Sequence, residues 1–276
     1  MRSLLVLGLL AACGRSTAPI LPPGADQLAL QAAYAAAADS VPHQGSGWPS
    51  DTDCDGALWA GEARAAGLHA VDPTAALQPD GRPTRRPGRD CGPAESPATT
   101  STDMQLGTIE GLLAAGDLAA LEALQGYVDS HSDFAGFPAD AAHAPYTLMK
   151  PGTRTLLARA IRHLGGKPSG VWADLPLVNS PTGQDFEVHL AVVLLATERQ
   201  TGSWSADDEL AATNLCAANP SDAAVQAVCG HEPAAEALIL APGWTPPGYV
   251  RGAPGYAAVH KAWILHYLLT SGQLDR

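Results

Sequence analysis

Large side chains are scarce in this chain. Phe and Met each occur 3 times and aromatic residues make up 5% of 276 positions, so no core here rests on a handful of bulky anchors. Alanine fills the gap, and small side chains bury enough area only where many helices approach closely. Positive charge is equally thin: 16 Lys and Arg face 28 Asp and Glu, a formal net charge of −12. Such a surface repels nucleic acid and anionic lipid headgroups. No apolar run approaches the ~20 residues that a membrane-crossing helix needs. No segment alternates at period two for long enough to pair as a sheet. A fixed repeat of roughly 33–47 residues is missing too, which argues against ankyrin and tetratricopeptide solenoids.

Several familiar chemistries are also missing. There is no G-x-S-x-G elbow, no Walker loop and no G-x-G-x-x-G turn. His231-Glu232 is followed by Pro233-Ala234-Ala235, so the H-E-x-x-H zinc pattern fails at its last ligand. The cysteines show no C-x2-C spacing. Asn179-Ser180-Pro181 is not a glycosylation signal.

What remains is a globular composition, 46% hydrophobic and 16% charged. Helical patterns run over 25–39, 55–66, 102–115, 118–130, 151–164, 184–200, 206–218, 222–229, 233–240 and 254–271. Gly116-Asp117 ends one helix and caps the next, a join short enough to force antiparallel neighbours. Pro151 suits the first turn of its helix, and Ser205 and Ser221 are placed to cap theirs. The segment 184–200 carries Val188, Leu190, Val192, Val193, Leu194 and Leu195 in nearly every direction, so it belongs inside. The expected fold is all-α, a single domain over 25–276 built from helical hairpins.

The first residues read differently. Arg2 is followed by the apolar stretch Leu4–Ala12, then by Leu10-Ala11-Ala12-Cys13, the charged-then-apolar layout of an export signal. A small pair before a cysteine resembles the lipobox of bacterial lipoproteins. That resemblance implies removal of residues 1–12, acylation (palmitate among the chains) at Cys13, and a Pro- and Gly-containing tether over 13–24. An ordinary secretory signal is the alternative, although Leu10 and Ala12 do not form the small-x-small cleavage site. Export with a lipid anchor puts the chain in the cell envelope. Gly14 in place of an Asp leans toward the outer membrane, where attachment would come from lipid and not from a basic patch. If Cys13 is acylated, Cys54, Cys91, Cys216 and Cys229 are left to pair in an oxidising compartment. Of the three pairings, the local one, Cys54–Cys91 with Cys216–Cys229, is expected.

Candidate chemistry gathers in the loops that open helices. Asp51-x-Asp53-x-Asp55-Gly56 with Glu62 in twelfth place matches the calcium-loop pattern, and calcium is the one cofactor the sequence raises. Pro49 leaves no room for an entering helix, and Trp59 replaces a polar ligand. Helix capping by Asp53 or Asp55, or a role in ligand binding or catalysis, therefore competes. The long irregular stretch 71–100 carries Arg82, Arg85, Arg86 and Arg89, either a solvated loop or a contact for an anionic ligand. Asp103 opens its helix as a cap, or as a general acid or base. Glu187 and His189, two residues apart on the apolar helix, project roughly 200° from one another. They are a satisfied buried pair or a catalytic one. Arg154, His143 and His260 read as core-edge or surface residues, with Arg154 a candidate ligand contact.

The succession Asp53-Cys54-Asp55-Gly56, Arg86-Pro87, Asp90-Cys91 and Ser101-Thr102-Asp103-Met104 before a helical hairpin resembles the α/α-toroid proteins. These are the six-hairpin folds of many polysaccharide-active enzymes, and the likeness covers residues 53–200, about half the chain. It implies a toroid, complete or incomplete, whose helix-opening loops ring a funnel. It places Asp53, Asp55 and Asp103 at that mouth, where Asp103 with Asp53 or Asp55 would act as acid and base on a glycosidic bond; Glu187 is a further catalytic candidate, and Arg86, Tyr146, Arg154 and His189 are candidate ligand contacts. Trp48, Trp59 and Tyr146 would be the sugar-stacking aromatics. The expected function is binding or hydrolysis of a carbohydrate or envelope polymer, in the manner of a glycoside hydrolase or lyase. A non-enzymatic binding or scaffold lipoprotein, calcium-stabilised or not, is the other reading.

Overall fold

A computed structural model describes residues 25–43, 48–49, 55–86, 100–135, 148–175, 177, 185–250 and 254–274. Among the described residues the protein is all-α. Its helices are α1 (Ala25–Asp39), α2 (Gly56–Ala65), α3 (Thr102–Ala115), α4 (Leu118–Ser130) and α5 (Pro151–His163). They continue as α6 (Asp185–Thr201), α7 (Ala206–Ala218), α8 (Ala223–Val228), α9 (Glu232–Ile239) and α10 (Pro254–Leu274). Two 3-10 turns and three isolated bridges complete the regular structure, and no strand forms among these residues. No described helix is long and apolar enough to cross a membrane.

Local chemistry accounts for the helix ends. Gly116 takes a left-handed φ of 70° to stop α3, and the Asp117 carboxylate accepts the Ala120 N–H at 2.9 Å to start α4. Ser205 forms a reciprocal capping box with Asp208 at the head of α7. At α8 the cap is Asp222, not Ser221. Its carboxylate accepts from both Ala224 and Val225 N–H groups, a stronger acceptor for two orphan donors than a hydroxyl.

The scarcity of large side chains is resolved by glycine. At Gly61 of α2 an added Cβ would lie 1.9 Å from the Gly107 carbonyl oxygen of α3, and at Gly107 it would lie 2.3 Å from the Leu58 Cα. Gly111, one turn along, meets the Gly61 Cα at 3.0 Å. Leu58 and Gly61 thus face Gly107 and then Gly111 in ascending order, so α2 and α3 run in the same direction with backbones touching. Ala57, Ala60 and Ala63 are buried beside them.

Contacts between elements close a cycle: α2 on α3, α3 on α6, α6 on α8, α8 on α10, and α10 back on α2. The helix α5 is buried along most of its length and packs on α3, α4 and α6, α4 packs on α3 and α5, and α1 lies against α10. α6 is apolar and buried along most of its length, as its sequence implies, with Leu190 half-buried. Buried Arg159 of α5 holds Glu198 and Asp208 together and donates to the Leu175 carbonyl at 2.7 Å, tying α5, α6 and α7 to the 172–175 turn. Cys216 and Cys229 form the expected disulfide. The Cys54–Cys91 pairing lies outside the described residues, as does Cys13 with its leader and tether.

Candidate functional site

The interior of the helical cycle is polar at its centre. Glu62 of α2 is fully buried, with Oε1 2.5 Å from Nε2 of His189 on α6 and Oε2 3.3 Å from Nδ1 of His260 on α10. Both imidazoles are also fully buried. The close backbone contact at Gly61 fixes the position of the adjacent Glu62, and the two rings approach from helices on either side.

Aromatic rings wall the cluster. Tyr249 stacks on His189 at 4.9 Å, Trp263 on His260 at 5.8 Å, and Trp59 on Tyr256 at 4.3 Å. The two imidazoles meet edge to face at 5.5 Å. On α3, Glu110 is fully buried and accepts the Trp263 indole N–H at 2.8 Å.

The two carboxyl groups are driven apart. Burial alone would raise Glu62, but the imidazoles of His189 and His260 more than reverse it and hold the group at about 2. Burial, aided by the charge of Glu62, lifts Glu110 well above the usual carboxylate range against the pull of the Trp263 N–H. An ionised base beside a carboxyl that keeps its proton is an acid–base arrangement.

Several polar atoms here have no protein partner: His189 Nδ1, His260 Nε2, Glu110 Oε2, Trp59 Nε1 and the Tyr256 hydroxyl. Buried polar groups are normally satisfied, so this concentration around one carboxylate marks the place. Glu62, His189 and His260 are also a group able to hold a metal ion, with one donor atom from each lying within 4.8 Å of the others.

Of the residues singled out from sequence, Glu62, His189 and His260 make up this centre. Asp55 is the N-cap of α2 and pairs with Arg85 at 3.2 Å. Asp103 lies buried in the first turn of α3, and Glu187 is half-buried in the first turn of α6. Asp55 and Glu62 are seven residues apart, as are Asp103 and Glu110, and that spacing returns to the same helix face two turns deeper. The expected acids thus stand on the helices of the cluster, nearer their N-termini. Asp51, Asp53 and Tyr146 lie outside the described residues, as does His143.

Arg86 is buried. Arg154 is engaged elsewhere, bonding Asp129 at 2.6 Å, pairing with Asp133 at 2.8 Å and lying over the Trp172 ring at 4.9 Å. His189 belongs to the centre, but its partner is Glu62, not Glu187. Reading the sequence singled out Glu62 only as a calcium-loop ligand and missed Glu110 altogether. The heptad-spaced pairs Asp55/Glu62 and Asp103/Glu110 were the available signal.

A surface cleft of about 310 Å³ adjoins the centre, lined by Asn219, Ser221, Asp222, Trp244, Thr245 and Tyr249 among others. The Tyr249 hydroxyl donates to Asp222 at 2.8 Å while its ring lies on His189. One aromatic side chain therefore borders both the cleft and the imidazole. Compared with family models, curated proteins and solved structures, the chain matches none.

Proposed function

We propose that this is a lipid-anchored protein of the bacterial envelope whose α/α-toroid-like domain binds, and through Glu62, His189, His260 and Glu110 hydrolyses, a carbohydrate or envelope polymer. The reading is carried by one observation: the cleft presents Trp244 and Tyr249 among polar groups, and Tyr249 also packs on the imidazole of the acid–base centre. Aromatic faces with nearby hydroxyl, amide and carboxylate partners suit a sugar ring, which is apolar on its faces and polar at its rim. Glu110 would hold the proton for the leaving oxygen and Glu62, with its imidazoles, would accept one from water. Parallel α2 and α3 within a closed cycle of helices support the toroid arrangement. The lipobox-like Leu10-Ala11-Ala12-Cys13 supports the anchor, export and an outer-membrane location.

Full burial of Glu62, His189 and His260 favours a second reading, a non-enzymatic polymer-binding lipoprotein whose polar centre serves the structure. Co-sedimentation with insoluble polysaccharides, peptidoglycan included, tests the shared part: Trp244→Ala should lower retention at least ~10-fold. Undiminished retention, or none in the wild type, removes the cleft from the account. Release of reducing ends separates the two readings. Cys13→Ser should move the full-length protein from the membrane fraction to the soluble exported fraction.

A further inference from the structure

We infer that Glu62, His189 and His260 bind a single transition-metal dication of the Zn(II), Fe(II) or Co(II) type. This metal site rests on the same centre as the functional reading but not on the identity of any polymer. The donor set is two imidazole nitrogens and one carboxylate, delivered from three helices and sealed from solvent. Two histidines with one carboxylate suit these borderline ions, whereas calcium and magnesium prefer all-oxygen sites.

Distances support it. Donors bonded at ~2.0–2.2 Å to a four-coordinate ion lie roughly 3.3–3.6 Å from one another. The Glu62–His260 separation of 3.3 Å already meets that. The Glu62–His189 separation of 2.5 Å opens to it by about 1 Å of side-chain rotation.

The second observation is independent of the clustering. Each imidazole spends one nitrogen on Glu62 and leaves the other, His189 Nδ1 and His260 Nε2, buried without a protein partner. With an ion held among the three facing donors, these outward nitrogens are the N–H groups that outer acceptors or buried water take at a metal site. Trp59, Tyr249, Tyr256 and Trp263 surround the site with apolar faces, the dry shell that limits exchange of a bound ion.

The test uses the full chain, stripped with chelator, dialysed and titrated with Co(II). Zinc uptake is measured in parallel by elemental analysis. The expected result is one ion per chain, with the intense visible absorption of four- or five-coordinate Co(II) displaced by Zn(II). Uptake should weaken more than ~10-fold in His189→Gln and in His260→Gln, each confirmed folded by circular dichroism, and should be unchanged in the surface variant His69→Gln.

Two results overturn the site: no stoichiometric uptake by folded wild type, or uptake undiminished when His189 and His260 are replaced together. Should the variants not fold, the wild-type spectrum decides alone: a weak six-coordinate band would need several bound waters, which a site sealed from solvent does not hold, and would overturn it. Stoichiometric metal without polymer cleavage would leave the site standing and sink the hydrolase reading.

Discussion

Replacing Gly61 with alanine should destabilise the protein, whereas the same replacement at Gly126 should stabilise it. At Gly61 the new Cβ would sit 1.9 Å from the Gly107 carbonyl oxygen and 2.5 Å from its carbonyl carbon. Ordinary contact begins near 3.4 Å, and the obstacle is backbone, so α2 and α3 must part by about 1.5 Å or the chain must distort. Overpacking of this kind costs ~1–3 kcal/mol and more when nothing flexible yields. Against it stands a gain of only ~1 kcal/mol from the better helix propensity of alanine. Gly126 is an exposed helical position of α4, where an added Cβ meets nothing within 4 Å, so there the propensity gain stands alone.

At roughly 2–4 °C per kcal/mol for a domain of this size, Gly61→Ala should lower Tm by about 5 °C or more. Gly126→Ala should raise it by about 2 °C. Thermal melts by circular dichroism at matched concentration and pH make the comparison. Equal shifts in the two variants, or an unchanged Tm for Gly61→Ala, would refute the backbone contact between α2 and α3. The placement of Glu62 argued from it would fall as well.

Other consequences are open to measurement. Burial pushes Glu198 up to about 7 in spite of Arg159, from an ordinary 4.5. The folded state therefore keeps a proton that the unfolded chain has already released, and stability should fall as pH rises between those values. The loss is on the order of 3 kcal/mol, and Glu198→Gln should flatten this part of the urea-stability profile; an unchanged slope would assign it to other groups. The Cys216–Cys229 bridge closes a loop with a sequence separation of 13, and opening it by Cys216→Ala with Cys229→Ala should cost about 3 kcal/mol in the same denaturation assay. A loss below ~1 kcal/mol would mean that the α7–α8 connection is held without it.

The helices were legible in the sequence because each carries its own punctuation. Gly116-Asp117, Pro151 and Ser205 mark ends that depend on neighbouring residues alone, and the structure places them where those rules put them. The Ser221 cap went astray by one residue because Asp222 supplies a carboxylate for the same donors. The centre was legible only in outline. His189 stood out as a polar residue on an apolar helix and His260 read as a core-edge or surface residue, but their shared partner comes from a helix more than a hundred positions away in sequence. Local pattern carries no information on such a meeting. Asp55 and Asp103 drew notice as cap-like acids, while of the two acids on the same faces two turns deeper Glu62 read as a calcium-loop ligand and Glu110 as an ordinary helix former. The groups that cover them, His189 and His260 over Glu62 and Trp263 over Glu110, come from helices far away in sequence.

The central claim is that the Glu62–His189–His260 centre exists for chemistry and not for packing. Its most direct test measures reducing-end release from envelope polysaccharides and urea stability on the same preparations of wild type, His189→Gln and His260→Gln, all folded by circular dichroism. The account predicts measurable release by the wild type and a loss of at least ~100-fold in both folded variants, on top of the roughly 3–5 kcal/mol that removing one partner of a buried ion pair costs. Release retained in the variants alongside a large loss of stability would contradict it, and would make the cluster a structural element of the helical core.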